Sequence, residues 1–386
     1  MSAFQVRVRK IASVIPHPKA DRLDLVRIDD YLSAIPKGSF KEGDLAVYLP
    51  EAAMLPEFVL RVLNLWDEER GMGKCAGEIG ARIKAVKLRG ILSQGIVYPL
   101  SYLADHPMGA GWYLQDADAG LWPVQEGDDV ANLLQITKHV PEVPKDLAGA
   151  AFSVGRHLIP NFDIEDIKRY PGVFVEGEEV RITEKLHGIC TLAVLLPEAD
   201  AIDGERFFVT GKRFGYEGLA YLDNEANQDN MYLKMVHQFK LREKVEAIAA
   251  KLGVTDVPVF AIGETFGRGV QDLGYDMPPT YRCFDIGTGY RGREQYLDYD
   301  EARALAESLD LQWTPELYRG PFSQEILAKV ITGKETLTGK GVHIREGGVV
   351  HPVKERQNSS LEGERVILKA ISPDYLSRPG NTTEYQ

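Results

Sequence analysis

Thr183-Glu-Lys-Leu-His-Gly188 decides how this chain is read. The run Val180-Arg-Ile-Thr-Glu-Lys alternates apolar and polar residues, which predicts a strand ending at Lys185. A second apolar run over 189–196 predicts another strand directly after it. The lysine therefore stands at a strand end, followed by His187 and Gly188. A lysine becomes a nucleophile only by losing its proton, against a reference pKa of about 10.4. Neighbouring cations, a metal ion or desolvation can bring that about. A glycine lets backbone approach a phosphate closely. Taken alone, Lys-x-His-Gly suits a surface lysine before a turn as well as it suits a nucleophile.

Further stretches follow in order. Phe207-Phe-Val-Thr-Gly-Lys-Arg-Phe puts Lys212 and Arg213 at the end of a predicted strand. Ala261-Ile-Gly-Glu-Thr-Phe-Gly-Arg-Gly-Val-Gln sets Glu264 between a strand and a glycine-rich loop. Tyr281-Arg-Cys-Phe-Asp-Ile brings an aromatic before an acid, and Arg345-Glu-Gly-Gly-Val-Val and Leu368-Lys-Ala-Ile-Ser-Pro-Asp-Tyr-Leu close the series. The glycine-rich loop lacks Walker spacing and a Gly-x-Gly-x-x-Gly frame, so it is neither a P-loop nor a dinucleotide site.

This ordered set resembles the covalent nucleotidyltransferases, and within them the ATP-dependent nick-sealing RNA ligases. The resemblance covers about half the chain, from Phe162 to Leu376. It implies that Lys185 attacks the α-phosphate of ATP, expels pyrophosphate and carries AMP. Glu184 would lie near the adenine amino edge, Phe284 would stack on adenine, and Gly188 would lie against the nucleotide. Glu264 would accept from the ribose hydroxyl, and Arg213 would contact the ribose or the 5′-phosphate. Glu264 and Glu346 would hold Mg²⁺ or Mn²⁺, and Lys369 would neutralise the α-phosphate. His187 would assist the first step; DNA ligases and capping enzymes more often carry Asp there. Asp285 is open between a metal ligand and a turn former.

Two positions depart from the pattern. Related ligases often end with two lysines one residue apart, whereas here Ile367 precedes Lys369 by two places and Arg345 or Lys354 are the candidate substitutes. Gly348 stands where a larger residue is common.

Working outward, the 386 residues suit two domains. The expected fold class is α+β: an adenylyltransferase domain of antiparallel sheets and helices over 138–386, preceded by a β-rich OB-like barrel over 1–137. Short alternating runs carry the second expectation: residues 5–12, 23–28, 43–50, 81–88 and 93–99. Pro18-Lys-Ala-Asp-Arg-Leu and Phe40-Lys-Glu-Gly-Asp-Leu-Ala-Val-Tyr-Leu-Pro also resemble an RNA ligase branch with its OB-like domain in front. A helix or loop is expected over 56–66, residues 101–128 fit no pattern, and Thr137-Lys-His-Val-Pro-Glu-Val-Pro-Lys reads as a linker. Helical spacing appears over 229–252. Asp298 reads as the cap of a helix through 309, and Ser323 as the cap of one through 331.

Net charge is −12, which weighs against broad nucleic-acid binding and requires the basic residues to gather locally. Arg82, Lys84, Lys87 and Arg89 form such a group and, with Lys212, are the expected contacts to nicked RNA or an RNA-containing duplex. Cys75, Cys190 and Cys283 show no metal-ligand spacing and suit reduced thiols in the cytoplasm. No run approaches the roughly 20 apolar residues of a membrane span, the N-terminus carries no signal-peptide core, and a monomer is expected. The competing readings are a DNA ligase or capping guanylyltransferase, and an OB-type binding protein with an inactive nucleotidyltransferase fold.

Overall fold

The computed structural model describes residues 4–77, 79–103, 113–116, 120–139 and 149–378. The chain forms two compact units: residues 3–140 with 168–171, and residues 141–167 with 172–386. The expected linker falls largely on 140–148, outside the described residues.

The first unit is built from short antiparallel strands. Leu45–Leu49 lies between Arg7–Lys10 and Ile96–Pro99. Its alternation sends Val47 and Leu49 into one core, and Ala46 and Tyr48 into another. Ser13–Pro16, Leu23–Ile28 and Tyr31–Pro36 form a meander beside them in sequence. The strand expected over 81–88 is confined to Val86–Leu88, paired with Ile91–Ser93. The helix or loop of 56–66 resolves into a helix at Glu57–Val62 that buries Val59 and Leu60. The unplaced stretch contains a hairpin of Tyr113–Asp116 with Gly120–Pro123.

Two five-stranded sheets organise the second unit. The first runs Glu165–Asp166, Leu368–Ile371, Gly347–Pro352, Glu179–Lys185, Glu316–Pro321, parallel at the first pair and antiparallel elsewhere. The second runs Phe207–Gly211, Gly188–Leu195, Val259–Phe266, Thr280–Thr288, Gln295–Tyr296, antiparallel throughout. Both faces of the second sheet are covered, so its strands read as near-continuous apolar runs. Ala193, Val209 and Ala261 meet Val236 and Ile248 on one face. Leu192, Phe208 and Ile262 meet Leu158 and Ile159 on the other.

The helical stretch over 229–252 is two helices, Met231–Phe239 and Leu241–Leu252, because Lys240 turns left-handed at φ 52°. Asn230 caps the first, accepting from the amides of Tyr232 and Leu233. Ser323 caps Gln324–Ile331 through the Ile326 amide, as the sequence predicts. Asp298 precedes Tyr299–Glu307 but gives that helix no side-chain cap. Its carboxylate takes the Glu355 amide and the Lys354 ammonium instead.

Candidate active site

Two residues carry the chain from one sheet to the other. Lys185 closes its strand opposite Gly347, and Gly188 opens the next opposite Phe266. Between them Leu186 is buried with Phe266 and Tyr275, and the His187 amide donates to Tyr275 Oη at 2.7 Å. A cavity lies where the two sheets diverge. Lys185 and Glu346 line it from the first sheet and its edge, Glu264 and Phe284 from the second. Lys369 enters from the Leu368–Ile371 strand, and Lys212 from the start of the Lys212–Glu217 helix.

Charge is tightly arranged here. One oxygen of Glu346 pairs with Lys185 Nζ, and the other lies 3.2 Å from His187 Nδ1. Nε2 of His187 lies 2.6 Å from Asp272, and Tyr375 Oη lies 3.0 Å from its Nδ1. Burial lowers the histidine's pKa, but the hydrogen bonds to Asp272 and Glu346 outweigh it and hold it at about 9. His187 is therefore an imidazolium at neutral pH. Burial raises Glu346, yet Lys185 and His187 bring it down to about 2. Among the described residues Glu264 makes no ion pair, and burial pushes it up to about 8 against the pull of Lys185. Two carboxylates of one cavity thus sit on opposite sides of neutrality.

The far wall suits a flat, polar ring. Phe284 packs on Phe162 with ring centroids 5.2 Å apart. One oxygen of Glu184 accepts from the Thr336 amide at 2.9 Å. The other is buried with no hydrogen-bond partner among the described residues. A buried acceptor left open in this way is costly unless a ligand donor meets it.

A family model described as RNA ligase matches residues 178–371. The chain belongs to the RNA ligase family. An OB-fold domain model matches residues 5–100, which gives the first unit of this ligase its fold. No curated protein matches the chain by sequence. Solved structures of an RNA ligase from Naegleria gruberi do match in fold. A variant with ATP and Mn aligns at TM-score 0.73, with 21% identity over 96% of this chain and 98% of that one. A variant with AMP and Mn aligns at 0.72, with 21% identity over 96% and 98%. The form with PPi aligns at 0.71, with 21% identity over 96% and 97%.

In this ligase the cavity gathers Glu184, Lys185, His187, Gly188, Glu264 and Phe284, and also Glu346 and Lys369. Gly188 is required by sheet packing: a Cβ there would lie 2.2 Å from the Thr265 carbonyl oxygen. Gly348 has the same kind of reason, since a Cβ would meet Ile182 Cγ2 at 2.8 Å. Lys212, expected on nucleic acid, lines the cavity instead, 2.6 Å from Asp163. Arg213 does not line it; the residue lies on the outside of the following helix, 3.4 Å from Glu217. Arg82, Lys84, Lys87 and Arg89 belong to the first unit, where Lys87 and Arg89 are exposed and Arg82 and Lys84 half-buried.

Neither suggested stand-in for a lysine at Ile367 reaches the cavity. Arg345 donates to the carbonyls of Thr332 at 3.2 Å and Lys334 at 2.8 Å, and to that of Val330. Lys354 is paired with Asp298. Asp285, open in the sequence between a metal ligand and a turn former, accepts from Arg365 at both of its oxygens. Sequence reading missed Phe162, Asp163, Asp272, Thr336 and Tyr375. Asp272 directly follows the Gly-Arg-Gly-Val-Gln stretch, so a wider window would have included it. Tyr375 lies inside the Leu368–Leu376 stretch but was given no role there, and Phe162, Asp163 and Thr336 sit in loops with no periodicity.

Proposed function

We propose that this RNA ligase uses ATP and seals 3′-hydroxyl/5′-phosphate nicks in RNA or an RNA-containing duplex, with AMP stored on Lys185. The observation that carries the reading is the convergence of Lys185, Glu264, Glu346, Lys212 and Lys369 on one cavity with an aromatic wall. The relatives of like fold that hold ATP or AMP with Mn support it. Glu184 would use its open oxygen to accept from the adenine amino group, and Phe284 would stack on the base. Glu264 would accept from a ribose hydroxyl.

Among the described residues no three His, Cys, Asp or Glu side chains form a ready metal-ligand cluster. A hard cation such as Mg²⁺ keeps several waters and shares itself with substrate phosphates, so the two carboxylates of Glu264 and Glu346 fit it. When bound it would neutralise phosphate charge and favour the neutral amine of Lys185. Lys185 Nζ forms the N–P bond as the α,β-bridging P–O bond breaks and pyrophosphate leaves. The 5′-phosphate oxygen of the nick then takes the AMP and frees the lysine. The 3′-hydroxyl attacks that 5′-phosphate, and AMP departs. Lys369 and Lys212 stand ready to offset the charge that gathers on phosphate oxygens, with Lys212 as the second cation that position 367 lacks. The same reading keeps the enzyme in a reducing compartment, where Cys75, Cys190 and Cys283 stay free thiols. No helix among the described residues is long and apolar enough to cross a membrane.

α-Labelled ATP with Mg²⁺ or Mn²⁺ should leave on the protein a label that survives alkali and is released by acid, as a phosphoramidate is, and Lys185→Ala should abolish it. Labelling by GTP in place of ATP, or undiminished labelling of Lys185→Ala, would overturn the reading. Nicks that differ only in the 3′-side sugar should seal faster with ribose.

A further inference from the structure

A second depression in the catalytic unit is a groove of about 920 Å³. Phe162 and Ile367 line both the groove and the nucleotide cavity, so the two are neighbours. Within the groove, Arg156 and Arg291 converge on Tyr216, their guanidinium carbons 4.7 and 5.6 Å from the ring centroid. Tyr216 lies on the same short helix as Lys212, one turn further on. Arg291 is fixed by donating to the carbonyls of Gly215 at 3.1 Å and Tyr216 at 3.3 Å. Its Nε is buried and finds no hydrogen-bond partner among the described residues.

Neither arginine makes an ion pair within the described residues. The nearby carboxylate, Glu294, is occupied by the amides of Asn161 and Gly292, each at 2.8 Å. Two guanidinium groups held side by side repel one another, and burial and then Arg156 depress the pKa of Arg291, which the charge of Glu294 only partly offsets. An anion between them removes that repulsion. The groove also carries carboxylates, Glu294, Glu362 and Glu364 among them, so the arginine pair suits a single phosphate rather than a long polyanion.

We propose that Arg156 and Arg291, held on Tyr216, grip a backbone phosphate of the RNA strand beside the nick and lead its end toward Lys185. The proposal rests on the ligase reading above. It needs no contact by these residues with ATP, so the adenylylation step should not feel them.

The test compares wild type with Arg156→Ala, Arg156→Glu and Arg156→Lys. Lys185 labelling by ATP, affinity for a nicked RNA duplex across a salt series, and thermal melting are measured on each. Arg156 is exposed, so folding should survive. Labelling should be unchanged, and Arg156→Ala should weaken nick binding about 10-fold. Its log–log salt slope should shrink by about 1, as expected for one lost phosphate contact. Arg156→Glu should weaken binding further, and Arg156→Lys should restore most of it. Unchanged affinity and slope in folded Arg156→Ala and Arg156→Glu would overturn this proposal alone. A wild type that neither labels nor binds the nick would overturn the ligase reading with it.

Discussion

Glu346 and Lys185 form an ion pair at the ends of adjacent antiparallel strands, with side chains 2% and 18% exposed. The second oxygen of the same carboxylate meets His187. One buried anion therefore serves two cations, and its low pKa follows from both. Removing one partner of a buried pair costs far more than breaking a surface pair, and here both Lys185 and His187 would lose a shared anion.

Glu346→Gln keeps the shape and removes the charge. Label transfer from ATP to Lys185 should fall about 100-fold or more, the scale on which single preorganised electrostatic partners act. A single-turnover labelling assay reads this directly. Near wild-type labelling would mean that the carboxylate serves the fold rather than the chemistry.

Gly188 offers a contrast, because its glycine is demanded by packing. A Cβ would sit 2.2 Å from the Thr265 carbonyl oxygen and 2.8 Å from Phe266 Cβ. Backbone on the central Val259–Phe266 strand cannot yield as a flexible side chain would. Gly188→Ala should lower stability by roughly 1 to 3 kcal/mol, as overpacking does. Urea denaturation checks the figure. A variant as stable as wild type but unable to label Lys185 would point to a nucleotide contact instead.

Arg345 separates a structural cation from a catalytic one. Its guanidinium reaches three carbonyls at the end of the Gln324–Ile331 helix and the turn after it. Losing a charged donor to several buried carbonyls costs roughly 2 to 4 kcal/mol. Arg345→Ala should therefore melt well below wild type. In whatever fraction stays folded, the labelling rate should hold. A lowered rate at unchanged melting temperature would restore Arg345 as the substitute for the lysine missing at Ile367.

What the sequence made legible follows from where each residue stands. Lys185, Glu264, Phe284, Glu346 and Lys369 lie on or beside strands whose order along the chain is itself the pattern. Two further partners of His187 were not legible. Asp272 is 85 residues away and Tyr375 is 188 residues away, and neither belongs to a periodic run. Lys212 and Arg213 do follow directly on the end of the expected strand, which closes at Gly211. The helix that begins at Lys212 sends that residue to the cavity and leaves Arg213 outside, which a strand-end reading of the two together does not distinguish. One left-handed residue, Lys240, divided a helical stretch whose apolar spacing runs through without a break.

His351 ties stability to pH. It lies in the Gly347–Pro352 strand, buried, with Nε2 3.4 Å from Thr183 Oγ1 and its ring 5.4 Å from that of Tyr299. Burial, and behind it the charge of Arg365, lowers its pKa from 6.5 to about 3. The folded chain therefore keeps His351 neutral where the unfolded chain protonates it. Between pH 6.5 and about 3 the unfolded state holds more protons at this site, so stability falls as pH falls. Above that window the group contributes no slope. His351→Gln removes the titration while leaving a polar partner for Thr183. Its melting temperature should change less than that of wild type as the pH drops from 6.5 toward 5. Parallel melting curves for the two proteins over that range would show that His351 binds its proton equally well folded and unfolded, and would remove it as a source of acid lability.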